Sequence, residues 1–523
     1  MLSVLQRQGL SLAAVPERDQ RVVLSDTANL STGGTAVDVT DALHPELGRM
    51  CERAAKAIGL DICGVDLVVP TIEAPFESGG IVEVNAGPGL RMHLFPDAGT
   101  PRDVATSIVE MLYPHQSNGR IPIISVTGTN GKTTTTRMIG HTVERTGHTV
   151  GMTTTDGIDI GGSRVVTGDT TGPRSARTVL MDRSVDVAVL ETARGGIMRG
   201  GLGYDWSDIG VITNIQWDHV GQDGIEYLDD IVHVKSLVAE RVRAGGTLVL
   251  NADDPTVMGL LSLRRVQRVS RHIILFSLHS DNPHVQSHRK NGGTAVYLHD
   301  GVVMECNGDT ESAIVDVETV PVTLHGLAEF QIANVLAATA ACRAFGLSPD
   351  AVTAGMRSFS NDSQNLGRCT MYCVKDGYAV LDYGHNPEAI ASVLRLAHRC
   401  PVTRVTAVLS LPGDRADWFI QEAAKVAARG CHRLIVHEDE DRRGRREGEV
   451  PELILSAAQE ASPSCQCRIV RKSADAVQTA LQDMMPGEII VIFCDQFQQV
   501  TQLLEEYDAV VAPKPQHPLA DVA

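Results

Sequence analysis

The chain has 523 residues, 43% of them hydrophobic and 21% charged, a balance that suits globular domains with ample chain to bury cores and excludes collagen, coiled coil and wholesale disorder. Lys plus Arg number 46 against 64 Asp plus Glu, a formal net charge of -18, so there is no general electrostatic footprint for nucleic acid. At roughly 100 to 200 residues per domain, the length predicts about three domains.

The 48 glycines beside 3 Trp, 8 Tyr and 9 Phe point to backbone turns and phosphate loops more than to aromatic base-stacking platforms. The 11 cysteines are odd in number and scattered. Neither Cys369-x3-Cys373 nor Cys465-x-Cys467 meets a second pair at zinc-like spacing, so reduced structural thiols in a cytoplasmic protein are expected. The apolar run at residues 10–15 is too short for a signal core, and no run approaches the length of a bilayer span.

In chain order, residues 1–115 form a first segment, closed by the polar break 114–120. The next segment, 120–357, alternates short β-branched runs with helical stretches, as a parallel α/β sheet demands. Strands are predicted at 121–126, 185–190, 208–215 and 246–250, and helices at 133–146 and 228–242. The polar stretch 358–367 separates this doubly wound nucleotide domain from a smaller α/β segment, 358–523, with strands predicted at 378–381, 404–409, 433–436 and 489–493. Its charged run 437–449 (HEDEDRRGRREGE) is read as either a solvated loop or a functional one. The Pro-bearing tail after Val510 is expected to be disordered.

Directly after the predicted strand 121–126 comes Thr127-Gly128-Thr129-Asn130-Gly131-Lys132-Thr133-Thr134, opening a helix. Glycines there let backbone N–H groups turn toward phosphate, a lysine can reach the β and γ phosphates, and a hydroxyl can hold Mg²⁺. The loop is a shortened one, since Val126 stands where the longer phosphate-loop pattern has glycine. Further metal-binding groups should come from the carboxyl ends of neighbouring strands, the edge that faces ligand in an open parallel sheet. Glu191 ends one such strand and Asp218-His219 follow the next, while Lys235 on the succeeding helix is a further candidate.

These residues carry a resemblance. GTNGKTTTT at Gly128, LETARGG at Leu190, TNIQWDH at Thr213, NADDP at Asn251, FQIANVLAA at Phe330, NLGR at Asn365 and LDYGHNP at Leu381 resemble, in order and spacing, the Mur ligase family of ATP-dependent amide-forming enzymes. The resemblance implies an α/β architecture: a central phosphate-loop domain with a parallel sheet at 120–357 and a C-terminal α/β domain at 358–523. It also implies that Gly128, Thr129, Asn130, Gly131, Lys132, Thr133 and Thr134 cradle ATP, with Asn334, Arg368 and Asp382 as further nucleotide contacts. Thr133, Glu191 and His219 would hold Mg²⁺, and Lys235 matches a lysine that is often carbamylated. Lys132, Glu191, His219 and Lys235 would thus form the catalytic set, and His385 and Asn386 complete a motif near the cleft.

GDTTGP at Gly168, ETARGG at Glu191 and DRRGR at Asp441 are most similar to the cyanophycin-forming branch of that family. That likeness implies arginine joined to aspartate side-chain carboxylates on a poly-aspartate (cyanophycin) primer through an acyl phosphate, in a homo-oligomer that binds neither nucleic acid nor membrane. Thr170, Thr171 and Arg194 are candidate substrate contacts. In the first segment, residues 29–41, 64–70 and 81–94 resemble the closing part of an ATP-grasp domain, with Asp66, Glu83 and Asn85 in the places of its magnesium ligands. About 115 residues are too few for a whole domain of that kind. The expectation is therefore an amino-terminally truncated relative whose aspartate-adding half-site is inactive alone. Two alternatives stand beside this: another Mur-type ligase acting on folylpolyglutamate or a peptidoglycan precursor, and a non-catalytic nucleotide-binding subunit. A GTPase switch lacks the base-reading N-K-x-D motif.

Overall fold

The computed structural model describes residues 1–24, 33–114, 117–218 and 223–512. His219, part of the 29–41 motif and the tail beyond residue 512 therefore lie outside the described residues. The chain divides into two compact units, Met1–Arg120 and Ile121–Ala523. No helix among the described residues is long and apolar enough to cross a membrane.

The first unit centres on the helix Pro45–Ile58 and an antiparallel pair, β1 (Gly64–Val68) and β2 (Gly80–Asn85). Pro45 sits at the first helical turn, where its missing N–H costs nothing, and Gly59 closes the helix in a left-handed conformation that suits glycine. Leu47 is the one residue of that helix that is buried. Val68 and Val82 on the strands are 62% and 71% exposed, so this two-stranded sheet leaves apolar surface open.

In the second unit the strands are β3 (Ile123–Thr127), β4 (Val150–Thr154), β5 (Gly157–Ile160), β6 (Ser163–Thr167), β7 (Val187–Glu191), β8 (Ser207–Ile212), β9 (Val242–Asn251), β10 (His272–Ser277), β11 (Thr294–His299), β12 (Val302–Asn307) and β13 (Thr310–Asp316). They form one sheet in the order β13-β12-β11-β10-β9-β8-β3-β7-β4-β5-β6. From β11 to β4 neighbours run parallel, and antiparallel hairpins finish both edges. The middle stretches of the parallel strands are mostly apolar because both faces are covered. The helices Lys132–Glu144 and Glu329–Phe345 bury Ile124 and Val126 on one face, while Leu228–Glu240 packs over Ile212 and Leu248 on the other. Each such fully buried aliphatic side chain contributes roughly 1.5–3 kcal/mol. Because β7 and β8 flank β3 on opposite sides, the loops leaving these three strands share one edge of the sheet.

A second sheet carries β14 (Arg368–Val374), β15 (Gly377–Asp382), β16 (Arg404–Leu409), β17 (Arg433–Val436), β18 (Gln466–Ile469), β19 (Glu488–Phe493) and β20 (Val510–Val511), in the order β18-β17-β16-β19-β15-β14-β20. Strands β18 to β15 are parallel, and β14 and β20 add antiparallel. The strands predicted from sequence are present, most within a few residues. The difference is largest at β9, which begins at Val242. The strand takes in the residues between the predicted helix and the predicted strand, and Gly246 lets it lie close against the Asp208 carbonyl and Val242.

The stretch 358–367 between the two sheets is not a solvated linker. Asn361 and Asn365 are buried, Asn361 Nδ2 donates to the Cys369 carbonyl (3.0 Å), and Asn365 Nδ2 donates to Asn361 Oδ1 (3.0 Å). Thr134 Oγ1, on the helix after the phosphate loop, donates to Asn365 Oδ1 (3.3 Å). All eleven cysteines carry free thiols.

Candidate active site

The turn after β3 is built for close approach. Gly131 sits at φ +84°, a conformation side chains with a Cβ rarely adopt, and a Cβ built there would collide with Asn334 Oδ1. A Cβ on Gly128 would collide with Thr213 Oγ1. The side chain of Asn214, just beyond β8, fixes the loop by accepting from the backbone N–H groups of Thr129 (3.1 Å) and Asn130 (2.8 Å). Gly131→Ala should therefore displace Asn334 and strain the loop, costing about 1–3 kcal/mol of stability. A denaturation midpoint unchanged from the parent would contradict this account of the turn.

Lys132 opens the helix, and its Nζ donates back to the Thr129 carbonyl (2.8 Å). Desolvation lowers its pKa and the nearby Glu191 carboxylate raises it. Glu191, at the carboxyl end of β7 and 2% exposed, accepts from Thr133 Oγ1 (3.1 Å), Thr155 Oγ1 (3.0 Å) and the Thr155 N–H (3.1 Å). A hydroxyl and a carboxylate thus meet beside Lys132, an oxygen set of the kind magnesium takes. No group of three His, Cys, Asp or Glu side chains comes together as a metal cage among the described residues. Lys235 is buried, its Nζ donating to the Gly128 carbonyl, and burial followed by the neighbouring Lys132 pushes its pKa well down.

The second sheet supplies the opposite wall. Arg368 starts β14 and faces Asp382 across the strand pair, with its guanidinium 4.2 Å from the Tyr383 ring centroid. Its Nε and Nη2 are buried without a hydrogen-bond partner among the described residues, so two donors remain for a ligand. Asp382 is buried, its Oδ1 accepts from the Gly384 N–H (2.7 Å), and burial pushes its carboxyl up to about 6. Asn386 caps the helix Pro387–Arg399 and donates from Nδ2 to Asn130 Oδ1 of the phosphate loop (2.8 Å), so the two sheets meet at the turn itself. His385 Nε2 lies 4.0 Å from Asp218, and burial lowers its pKa. Asn334 lines the same space and donates to Gln331 Oε1 (3.0 Å).

The residues from Thr129 to Thr134, Glu191, Asn334, Arg368, Asp382 and His385 surround one cavity of about 1070 Å³. A second, of about 640 Å³, adjoins it at Thr129, Lys132 and His385 and takes in Thr171, Arg194 and Lys235. Arg194 reaches Asp223 at 3.2 Å. Thr170 stands apart, its hydroxyl donating to the Thr154 carbonyl (2.7 Å) within the sheet. Asp66 and Glu83 face each other across β1 and β2 in the first unit, both exposed, with Asn85 two residues on.

Residues not singled out from sequence also stand here. Arg415 is 3% exposed and lies 3.9 Å from Asp218. Thr155 and Asn214 hold Glu191 and the phosphate loop. Arg415 sits in the turn sequence LPGDRAD, which gives no local signal, because its place depends on the second sheet meeting the first.

Set against known proteins, residues 126–342 match the family model of the Mur ligase middle domain and residues 367–494 that of the Mur ligase, glutamate ligase domain, together more than half of the chain. The chain belongs to the Mur ligase family. The family and α/β fold implied by the sequence motifs are thereby borne out. Among relatives, it is 41% identical to the cyanophycin synthetase of Synechocystis sp. over 507 residues, 96% of this chain and 57% of that protein. It is 42% identical to the cyanophycin synthetase of Nostoc sp. over 492 residues, 94% of this chain and 54% of that protein. The chain thus spans little more than half the length of these relatives. The Mycobacterium tuberculosis folylpolyglutamate synthase, solved with ADP and AMPPCP, shares the fold at a TM-score of 0.55 and 20% identity, covering 76% of this chain and 94% of that one.

Proposed function

We propose that this Mur ligase is an ATP-dependent amide ligase that joins arginine to the side-chain carboxylates of aspartates on a poly-aspartate, cyanophycin-type primer. The observation that carries it is the convergence of Lys132, Thr133 and Glu191 with Arg368 and Asp382 of the second sheet around one cavity. The glycine turn and the two Arg368 nitrogens without hydrogen-bond partners fit a triphosphate, and the Thr133 and Glu191 oxygens fit Mg²⁺. In this reading residues 128–134, Asn334, Arg368 and Asp382 bind the nucleotide, and His219 adds to the magnesium set.

Bound Mg²⁺ would neutralise charge on the transferring phosphoryl group. Lys132 would shift its hydrogen bond from the Thr129 carbonyl to the γ-phosphate as the aspartate carboxylate attacks the γ-phosphorus and the bond to the β,γ-bridging oxygen breaks, giving an acyl phosphate and ADP. The second cavity would then admit the amine that displaces phosphate, with Arg194, Thr171 and His385 among its contacts. The second sheet covers the reacting atoms and keeps water from the acyl phosphate. Burial, followed by the neighbouring Lys132, drives the Lys235 pKa down and so favours the neutral amine that carbamylation requires. We also read residues 1–115 as the closing part of an ATP-grasp domain, with Asp66, Glu83 and Asn85 as its magnesium side, and 120–357 and 358–523 as the middle and C-terminal domains. Reduced thiols and the amino-acid substrates suit a cytoplasmic homo-oligomer.

The test is phosphate release from ATP and Mg²⁺ when arginine and a poly-aspartate primer are supplied together. Release dependent on both is expected. Nucleotide binding without any such release would favour the non-catalytic subunit instead.

A further inference from the structure

Strand β4 ends at Thr154 and the chain runs on into Thr155 and Asp156. Thr155 holds the Glu191 carboxylate, while Asp156 has no part in the reaction so far. Its backbone is pinned by the hairpin that follows. The Asp156 carbonyl accepts from the Gly168 N–H (3.1 Å) and from Arg164 Nη1 (2.7 Å), and its N–H donates to Thr154 Oγ1 (3.3 Å). The first sheet thus fixes where this side chain starts.

The Asp156 carboxylate stands between two guanidiniums. Arg137, on the helix Lys132–Glu144 and buried, donates from Nη2 to Asp156 Oδ2. Arg368 Nη2 lies 3.9 Å from the same oxygen, too far for a hydrogen bond but close enough for an ion pair. Asp156 therefore attracts the Arg368 guanidinium without taking its N–H groups, and Nε and Nη2 have no hydrogen-bond partner among the described residues. The Tyr383 ring stands 4.2 Å from that guanidinium and the Phe497 ring 5.9 Å from it. Stacking constrains the plane of the group, and the carboxylate constrains which edge faces the cavity. Burial lowers the Arg137 pKa, Asp156 raises it and Arg368 lowers it, so the two guanidiniums repel one another across the carboxylate between them. Asp156 lines a third cavity, of about 970 Å³, whereas Arg368 lines the first. Asp156 is thus placed to act on a ligand of the first cavity through Arg368 and not by touching it.

We propose that Asp156, tied back by Arg137, is the positioning residue that turns the Arg368 guanidinium toward the nucleotide phosphates. This rests on the nucleotide-binding reading of the first cavity and adds what aims its arginine. The sign of the effect separates positioning from plain charge. Removing a carboxylate adds positive charge near the phosphates, which by Coulomb attraction alone tightens nucleotide binding. Loss of a positioning group weakens binding instead, because Arg137 then drives Arg368 away. The full chain, with Mg²⁺ present, is titrated calorimetrically with β,γ-imido-ATP, an analogue that keeps its γ-phosphate. Asp156→Asn should weaken the analogue about 10-fold, the worth of one charge-assisted hydrogen bond, and Arg368→Gln at least as much. In the Arg368→Gln background, Asp156→Asn should add less than about 2-fold, since the group it acts through is gone. Arg137→Met, which frees the carboxylate to take the Arg368 donors, should weaken binding too, and it serves as the test if Asp156→Asn does not fold. Thermal unfolding of each variant checks that it folds. Binding by Asp156→Asn or Arg137→Met that equals or exceeds the parent's, or the full Asp156→Asn loss persisting beside Arg368→Gln, would overturn the positioning role. A parent that binds no analogue would overturn it together with the nucleotide reading. The expected pattern without arginine- and primer-dependent phosphate release would instead sink the ligase reading and leave the positioning role standing.

Discussion

Lys132→Ala should lower primer- and arginine-dependent ATP turnover by about 10³-fold or more while the protein still folds. That factor follows from the worth of a single cation on a transferring phosphoryl group, about 10³ to 10⁵ in rate. The structure gives reason to expect little cost in stability. The Lys132 amine has one hydrogen bond, to the Thr129 carbonyl at the rim of the cavity, and burial lowers its pKa, so folding gains little from its charge. Removing it leaves Glu191 with its three donors from Thr133 and Thr155. The measurement is steady-state phosphate release together with a denaturation midpoint. Unchanged turnover would refute the assignment of the phosphate loop, whereas loss of turnover with loss of fold would be silent, so Lys132→Met, which keeps the apolar stem, is measured in parallel.

How much of the molecule is legible in its sequence varies with the range of the interactions involved. The β3 turn is legible locally: a buried β-branched run followed at once by two glycines, a lysine and threonines in one octapeptide points to strand, loop and helix from adjacent residues alone. Glu191 is readable because a carboxylate at the end of a parallel strand faces the ligand edge whatever its partners. Thr155 and Asn214, which position Glu191 and the loop, are not, since a threonine after β4 and an asparagine after β8 gain meaning only when β7 and β8 flank β3. The Asn130–Asn386 contact joins residues 256 apart and has no sequence signature at all. Strand β6 escapes for a different reason. Every residue of it is exposed, so it lacks the one-sided alternation by which an isolated strand is recognised. His437 shows the same limit from the other side: its charged run reads equally as solvated or functional, and only the strand it continues places the residue at the wall of a cavity.

Asp382→Asn should stabilise the protein at neutral pH and impair it as an enzyme. Burial raises the Asp382 carboxyl to about 6, from about 4 in the unfolded chain. The folded state therefore prefers the protonated acid. Its contribution to stability is fully present below pH about 4 and is lost as pH rises through 6, where the buried carboxylate must ionise. A carboxyl held that far above its unfolded value costs the fold about 3 kcal/mol at neutral pH, most of which the neutral amide should restore. The substitution keeps the oxygen that accepts from the Gly384 N–H, so no new unsatisfied donor is created at that turn. Urea midpoints of the two proteins should accordingly coincide near pH 4 and separate progressively up to pH 7, with the variant the more stable. The ionised carboxylate beside Arg368 is also the group proposed to bind nucleotide, so the KM for ATP should rise at pH 7.5 even as stability improves. That pairing is expected where a binding site keeps a buried charge at the expense of the fold. A variant less stable than the parent at pH 7, or a stability difference that does not change between pH 4 and 7, would mean that Asp382 is held ionised by Arg368 and that its burial carries no cost.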